Sequence, residues 1–245
     1  MSARIRLDLA LEQRGFLPSR ARARDAILRG TVSVNGAPAR KPNQMVGPHD
    51  AIALDDPASA YVSRAALKLV AGLDAGHIAV AGKTCLDVGS STGGFTQVLL
   101  ERGAAQVYAV DVGHDQLHEK LRSDPRVIGL EGTNARDLTR AEIADAVDLL
   151  VSDISFVSVT KVLAAPLALC QARADAVILF KPQFEVGRDF VGKGGIVSDG
   201  DASGRAMAEV IAFVEAQGFT HQLSILSPIA GGDGNRETVL VFSRG

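Results

Sequence analysis

Cysteine occurs only twice in the 245 residues, at Cys85 and Cys170, each inside an apolar stretch. With no C-x-x-C pair and no metal-ligand spacing, a disulfide scaffold and a zinc finger are excluded, and both residues read as buried small hydrophobes in a reducing compartment. Long apolar runs are missing too: none approaches the roughly 20 residues of a bilayer-spanning helix. Residues 1–8 contain no apolar signal core. The expectation is a cytoplasmic protein with no membrane partner. Disorder-promoting composition is also absent, since 47% of residues are hydrophobic and 22% charged, as in ordinary globular chains.

The small net charge of −2 conceals an asymmetry. Residues 1–50 hold nine Lys/Arg against four Asp/Glu, or +5, and the remainder carries −7. A basic head on an acidic body suits a separate module for a polyanion, the alternative being a solvated helical face. The length accommodates one α/β domain plus a small appendage. The division is expected at 1–58 and 59–245, with residues 55–60 as a short linker.

In the head, residues 4–17 carry apolar positions around Asp8, Glu12 and Arg14, with Gly15 as a stop. Ser19 is a good N-cap for a helix over 20–29, which Gly30 ends. The run 31–36 alternates like a strand and enters an Asn35-Gly36 turn, a strong hairpin signal. A further short strand fits 51–54. The ordered set Arg6-Leu7-Asp8, Arg14-Gly15, Ser19-Arg20, Ala23, Ile27, Gly30, Val32, Val34-Asn35-Gly36, Lys41-Pro42 and Asp50 resembles the S4 RNA-binding domain. The resemblance implies that the arginine-rich helix and the turn after it lie against an RNA helix. Arg4, Arg6, Arg20, Arg22, Arg24, Arg29, Asn35 and Lys41 are the expected contacts, with Arg64 beyond the head. Guanidinium forks suit phosphate oxygens, and A-form RNA hides its base edges from side chains.

From residue 61 onward strand and helix patterns alternate. Helices are predicted over 64–73, 94–102, 115–122, 139–145, 159–171 and 202–217. Strands are predicted over 83–88, 106–111, 126–130, 147–152, 175–180, 221–227 and 237–243. The rhythm argues for a doubly wound, mostly parallel sheet. The connection 227–236 is too short for a crossover helix, so the last two strands close as an antiparallel pair. The 147–152 and 175–180 runs are nearly all apolar, as buried parallel strands are, and end on Asp153 and Lys181. Ligands of such sheets bind beyond the carboxyl ends of the strands.

The glycines after the 83–88 strand are neither G-x-G-x-x-G nor a Walker pattern, because Phe95-Thr96 follow Gly93-Gly94. The form Asp87-x-Gly89-x-x-x-Gly93-Gly94 resembles the first motif of S-adenosylmethionine-dependent methyltransferases. The resemblance implies a cofactor site from Asp87, Gly89, Ser90, Thr92, Gly93, Gly94 and Phe95, with Asp87 receiving the ligand's α-amino group directly or through water. Asp111, ending the next strand, is placed to accept from ribose hydroxyls, its other reading being a cap or turn residue. Asn134 and Ala135 follow the third strand and are expected to border the adenine. Asp137 reads as the cap of the 139–145 helix.

Lys68 precedes the first body strand and Glu237 enters the last. With Asp153 and Lys181 they give Lys, Asp, Lys, Glu in chain order, which resembles the tetrad of FtsJ-like ribose 2′-O-methyltransferases. The segments Ser63-Arg64-Ala65-Ala66-Leu67-Lys68-Leu69, Ser152-Asp153-Ile154-Ser155-Phe156 and Lys181-Pro182-Gln183-Phe184-Glu185 are similar to those of the haemolysin A-type (TlyA) rRNA methyltransferases. The resemblance covers essentially the whole chain. It implies an α/β fold: a Rossmann-like class I methyltransferase sheet behind a small α+β S4 domain. It also implies S-adenosylmethionine as cofactor and ribosomal RNA or subunits as partner, with methylation of a ribose 2′-hydroxyl, in a cytidine. Lys181 is the expected base, its proton affinity lowered by burial and by Lys68, with Asp153 orienting the amine and Glu237 holding Lys68 or the ribose. The other reading has Lys181 only orienting the hydroxyl. Arg64 and Asn235 are expected to support the site.

The glycine-rich stretch 185–200 is expected to be a lid or an RNA-contacting loop. His114 and His118 share a helical face in the predicted 115–122 region but lack a third ligand, so no metal is expected. A monomer is the expected state. Two other readings stay open: an RNA-binding or ribosome-assembly protein without turnover, and a membrane-active haemolysin.

Overall fold

The computed structural model describes residues 4–245, which divide by their contacts into two units, one ending at Ala60 and the other starting at Tyr61. In the first, β1 (Ile5–Arg6) leads directly into α1 (Leu7–Gln13), and α2 (Arg20–Arg29) packs against α1. Ser19 Oγ accepts from the Arg22 N–H and Gly30 closes α2 at φ +80°, the Gly-terminated pattern that satisfies orphan carbonyls. Strands β2 (Val32–Val34), β3 (Ala37–Pro38), β4 (Met45–Val46) and β5 (Ile52–Leu54) follow. β2 pairs with β3 and β5, and β1 with β4, all antiparallel. Leu7, Leu11, Ala23, Ile27, Val32 and Val46 form its core.

The expected linker over 55–60 is ordered. Asp56 is 7% exposed and accepts both Arg29 fork nitrogens at 2.7 Å and the Ala58 N–H at 3.0 Å. Burial alone raises that carboxyl, yet the Arg29 hydrogen bonds and charge win and hold it below its usual range. A 3-10 turn, Pro57–Ala60, completes the unit.

The second unit carries a seven-stranded sheet. Its elements are α3 (Ala66–Ala75), β6 (Thr84–Val88), α4 (Gly94–Glu101), β7 (Gln106–Asp111), α5 (Glu119–Arg122), β8 (Val127–Glu131) and β9 (Val147–Ser152). Then come α6 (Ala164–Ala168), β10 (Cys170–Phe180), α7 (Pro182–Glu185), α8 (Gly200–Ala216), β11 (Thr220–Leu226) and β12 (Thr238–Arg244). The order is β11-β12-β10-β9-β6-β7-β8, parallel from β10 to β8, with β12 antiparallel to both neighbours. Strand order reverses between β6 and β9, and such switch points open a crevice at the carboxyl edge. Alternating residues supply opposite faces: Leu150, Ile178 and Phe180 join one core, Leu149, Val177 and Leu179 the other. Both faces are covered, which explains the near-continuous apolar runs.

Three predicted helices differ. Only Glu119–Arg122 of 115–122 is helical; Glu131 Oε1 accepts from the Gln116 and Leu117 N–H groups instead, and Asp115 sits at φ +54°. His114 and His118 therefore share no helical face. Residues 139–145 hold one turn: Glu142 caps Thr139, but Tyr108 Oη donates to Asp145 and Arg140 to the Asp145 carbonyl, and these bonds end the run. Asp137 lies in a 3-10 turn, Ala135–Asp137, rather than capping a helix. The 159–171 helix breaks into a 3-10 turn (Val159–Lys161) and α6, where Pro166 lacks a donor, and β10 starts at Cys170, five residues before the predicted strand. Among the described residues no helix is long and apolar enough to cross a membrane.

Candidate active site

Four strand ends meet at the carboxyl edge. The register aligns Val88 with Ser152, Ser152 with Ile178 and Phe180 with Thr238, so the residues following them, Gly89, Asp153, Lys181 and, preceding Thr238, Glu237, collect along it. Gly89 has φ +84°, and a Cβ there would stand 3.2 Å from backbone atoms of Asp153 and Ile154. Only glycine lets the two loops approach so closely. Gly93, at φ +94°, is the N-cap of α4, and a Cβ there would collide with Leu121 Cδ1.

A cavity of about 580 Å³ opens beyond this edge, walled by Gly89, Asp111, Gln116, Asn134, Ala135 and Ile154 among others. Its size is that of a ligand pocket. Asp111 accepts from the Ser91 N–H through Oδ2 and the Gly113 N–H through Oδ1, both at 2.8 Å, so its carboxylate ties the glycine turn to the next loop. Asn134 accepts from the Arg136 N–H at 3.2 Å and is exposed, while Ala135 is buried. A smaller hollow of about 140 Å³ adjoins, lined by Ser63, Ser90, Thr92, Gly94 and Phe95 with Asp153 and Ser155. Asp87 lines neither space. It is fully buried, its Oδ2 accepting from Thr96 Oγ1 at 2.6 Å, and burial pushes its carboxyl up to about 7. Asp87 Oδ1 and Ser90 Oγ are buried without a hydrogen-bond partner among the described residues. Such orphan atoms are costly unless a ligand or water satisfies them.

The four charged residues form two pairs. Lys68, on α3, is ion-paired with Glu237, both buried. Lys181 lies 2.6 Å from Asp153 Oδ1, close enough for an ion pair though off the line of a hydrogen bond, and donates to Ser155 Oγ at 2.7 Å and to the Asp153 carbonyl at 3.2 Å. Lys68 thus has its own carboxylate rather than standing as a bare cation for Lys181. Arg64 is half-buried just before α3. Asn235, 2% exposed, accepts from the Val197 N–H and donates to the Gly195 carbonyl, so the 185–200 stretch is pinned at this point.

Two residues here had no role assigned to them from the sequence. Ser155 lines both spaces and holds Lys181. Phe156 is 90% exposed at the cavity wall with φ +70°, its ring 5.5 Å from Phe184. A bulky residue in the left-handed region is a strained outlier. Nothing periodic in Ile154-Ser155-Phe156-Val157 marks it, because the exposure comes from the backbone turn.

On the first unit Arg4, Arg6, Arg20, Arg24, Asn35 and Lys41 are exposed. Arg6 and Arg20 share the buried Asp8 at 2.8 and 3.2 Å, and Asn35 bonds Asp50 and the Ala51 N–H across the hairpin. Arg22 and Arg29 depart from an outward-facing row. Arg22 donates to the Ala58 carbonyl at 2.6 Å, and Arg29 is held by Asp25 and Asp56.

Residues 61–244 match the FtsJ-like methyltransferase family model and residues 5–52 the S4 domain model. The chain is 47% identical to the 16S/23S rRNA (cytidine-2′-O)-methyltransferase TlyA of Mycobacterium tuberculosis, covering 98% of this chain and 90% of that one. It is 40% identical to Hemolysin A of Brachyspira hyodysenteriae over 97% of this chain and 99% of that protein. A solved Streptococcus thermophilus protein carrying a provisional hemolysin label superposes with a TM-score of 0.77 at 34% identity, over all of this chain and 90% of that one. With its glycine turn, its two charged pairs and an S4 domain ahead of them, the chain belongs to the FtsJ-like methyltransferase family, among the TlyA proteins.

Proposed function

We propose that the second unit transfers a methyl group from S-adenosylmethionine to a ribose 2′-hydroxyl of ribosomal RNA, in a cytidine, and that the S4 unit recruits the RNA. The observation that carries this reading is the Lys181 amine, buried and 2.6 Å from Asp153, a residue that lines the glycine-walled cavity.

The residues present fit the cofactor. The cavity volume accommodates a nucleoside with an amino-acid arm, and a side chain at position 89 would close the cradle. Asp111 retains lone pairs beyond its two backbone bonds for ribose hydroxyls. Thr133, Asn134 and Ala135 border the far wall, and the unpartnered Asp87 Oδ1 and Ser90 Oγ supply polar atoms behind the turn. Bound there, S-adenosylmethionine supplies a methyl group already activated on a sulfonium.

The chain then has to place a hydroxyl and take its proton. A ribose hydroxyl is a poor nucleophile near neutral pH, and a positioned base contributes about 10²–10⁴-fold. Lys181 is that base, with Asp153 orienting the amine. The Lys68–Glu237 pair fixes α3 to the start of β12. Phe156 offers a solvent-facing ring on which a nucleobase drawn out of its helix stacks. Arg4, Arg6, Arg20, Arg24 and Lys41 are the proposed phosphate contacts, while Arg22 and Arg29 hold the head together.

Labelled methyl transfer to ribosomal subunits from a strain lacking the gene, followed by nucleoside mapping, tests the reading. The expected product is 2′-O-methylcytidine. Label on a base, on protein or on small molecules alone overturns it.

A further inference from the structure

The Lys181 ammonium carries three N–H donors. Three oxygens lie within 3.2 Å of it: Ser155 Oγ and the Asp153 carbonyl, which accept hydrogen bonds from it, and Asp153 Oδ1, which makes an ion-pair contact off the hydrogen-bond line. Lys181 itself lines neither the large cavity nor the adjoining hollow, whereas Asp153 and Ser155 line both. A hydroxyl lodged in either space therefore meets those two residues in front of the amine.

The three partners are not equivalent once the amine is neutral. Neutral nitrogen keeps two N–H donors and gains a lone pair, and with three oxygens crowded around it that lone pair is repelled by any of them that cannot offer a proton. A carboxylate and a carbonyl can only accept, while a serine hydroxyl both accepts and donates. The bond from Lys181 is the one hydrogen bond Ser155 Oγ makes among the described residues, so its own proton is free to turn.

Resting on the reading of Lys181 as base, we propose that Ser155 is a further catalytic residue, whose hydroxyl relays the ribose proton to the Lys181 amine. The ribose O–H bond breaks and its proton bonds to Ser155 Oγ, as the Ser155 proton bonds to the Lys181 lone pair. The freed oxygen pair forms the bond to the donor's methyl carbon, and the carbon–sulfur pair stays with the sulfur. One positive charge disappears at the sulfonium and one appears at Lys181. Ser155 ends as a neutral hydroxyl, and no further reactant is needed.

Ser155→Thr and Ser155→Val test this, since they share a shape and differ in the hydroxyl. Single-turnover methyl transfer is measured at saturation, with affinities for S-adenosylmethionine and RNA by titration calorimetry. Ser155→Thr should stay within about fivefold of the parent and Ser155→Val should fall by about 100-fold, the scale of one proton-transfer group, with both affinities unchanged. Parental rates in both variants overturn the relay, and so does a Ser155→Val loss matched by lost affinity, which would make the hydroxyl a pocket wall. If the branched side chains slow both variants alike, Ser155→Ala decides: at least tenfold slower with unchanged affinities supports the relay, and the parental rate overturns it. Lys181→Met separates the two levels. A parental rate in that variant removes the base and the relay together; a loss there beside an undiminished Ser155→Val removes the relay alone.

Discussion

The Lys68 ammonium and the Glu237 carboxylate stand 169 residues apart in sequence and form one ion pair, their side chains 8% and 3% exposed. Removing one member of a buried pair leaves an unpaired charge, at a cost of about 3–5 kcal/mol, whereas replacing both by apolar groups is often neutral. Lys68→Met and Glu237→Gln should each lower the denaturant midpoint of the methyltransferase unit. The double replacement Lys68→Met with Glu237→Met should recover most of that stability and none of the methyl transfer. Recovery of both would make the pair structural only.

Asp87 sets a stability slope between about pH 4 and 7. Burial raises its carboxyl from 3.8 to about 7, with the Asp153 charge adding to the effect and the Thr96 hydrogen bond opposing it. The folded state then holds a proton that the unfolded state releases, so this group's contribution declines as pH rises through the window. Asp87→Asn removes the titration. Unfolding measured across this range should show the variant gaining on the parent as pH rises; parallel curves would contradict the assignment.

Gly89 couples the glycine turn to the charged edge. Gly89→Ala forces a Cβ to 3.2 Å from the Asp153 and Ile154 backbone at a φ of +84°, displacing the residue that orients Lys181. Methyl transfer should fall at least tenfold, since small misplacements of reacting groups are costly. Affinity for S-adenosylmethionine, measured by calorimetry, should fall too.

The arginines of α2 should separate into two classes. Arg24 is exposed, and Arg24→Gln should weaken RNA binding evenly across sequences and reduce the salt slope by about one. Arg29 is engaged by Asp25 and Asp56, so Arg29→Gln should lower the melting temperature of the S4 unit. Filter binding across a salt series and thermal unfolding distinguish these outcomes.

Much of this was legible because period and punctuation agreed. Apolar runs ending in Asp153 and Lys181 marked the functional edge of the sheet, and the short 227–236 connection announced the antiparallel close. What stayed hidden depended on contacts across the fold. Glu131, a full strand away, captures the N–H groups that a 115–122 helix needed. Asp56 turns a linker-like composition into ordered structure by taking the Arg29 fork. The contact of Lys68 with Glu237, one of two partners expected for that carboxylate, is made by α3 packing on β12, which no local pattern encodes. Ser155 and Phe156 gain their positions from a strained turn that hydrophobic spacing does not reveal.

The central claim is that Lys181 accepts the proton of a ribose hydroxyl. Single-turnover transfer of labelled methyl to unmodified ribosomal subunits, with the parent and Lys181→Arg compared at equal cofactor and RNA occupancy, tests it most directly. Arginine keeps the positive charge but stays protonated. The account predicts label in alkali-resistant dinucleotides for the parent and almost none for the variant, whereas substantial label with Lys181→Arg would contradict it and leave that side chain a positioning role only.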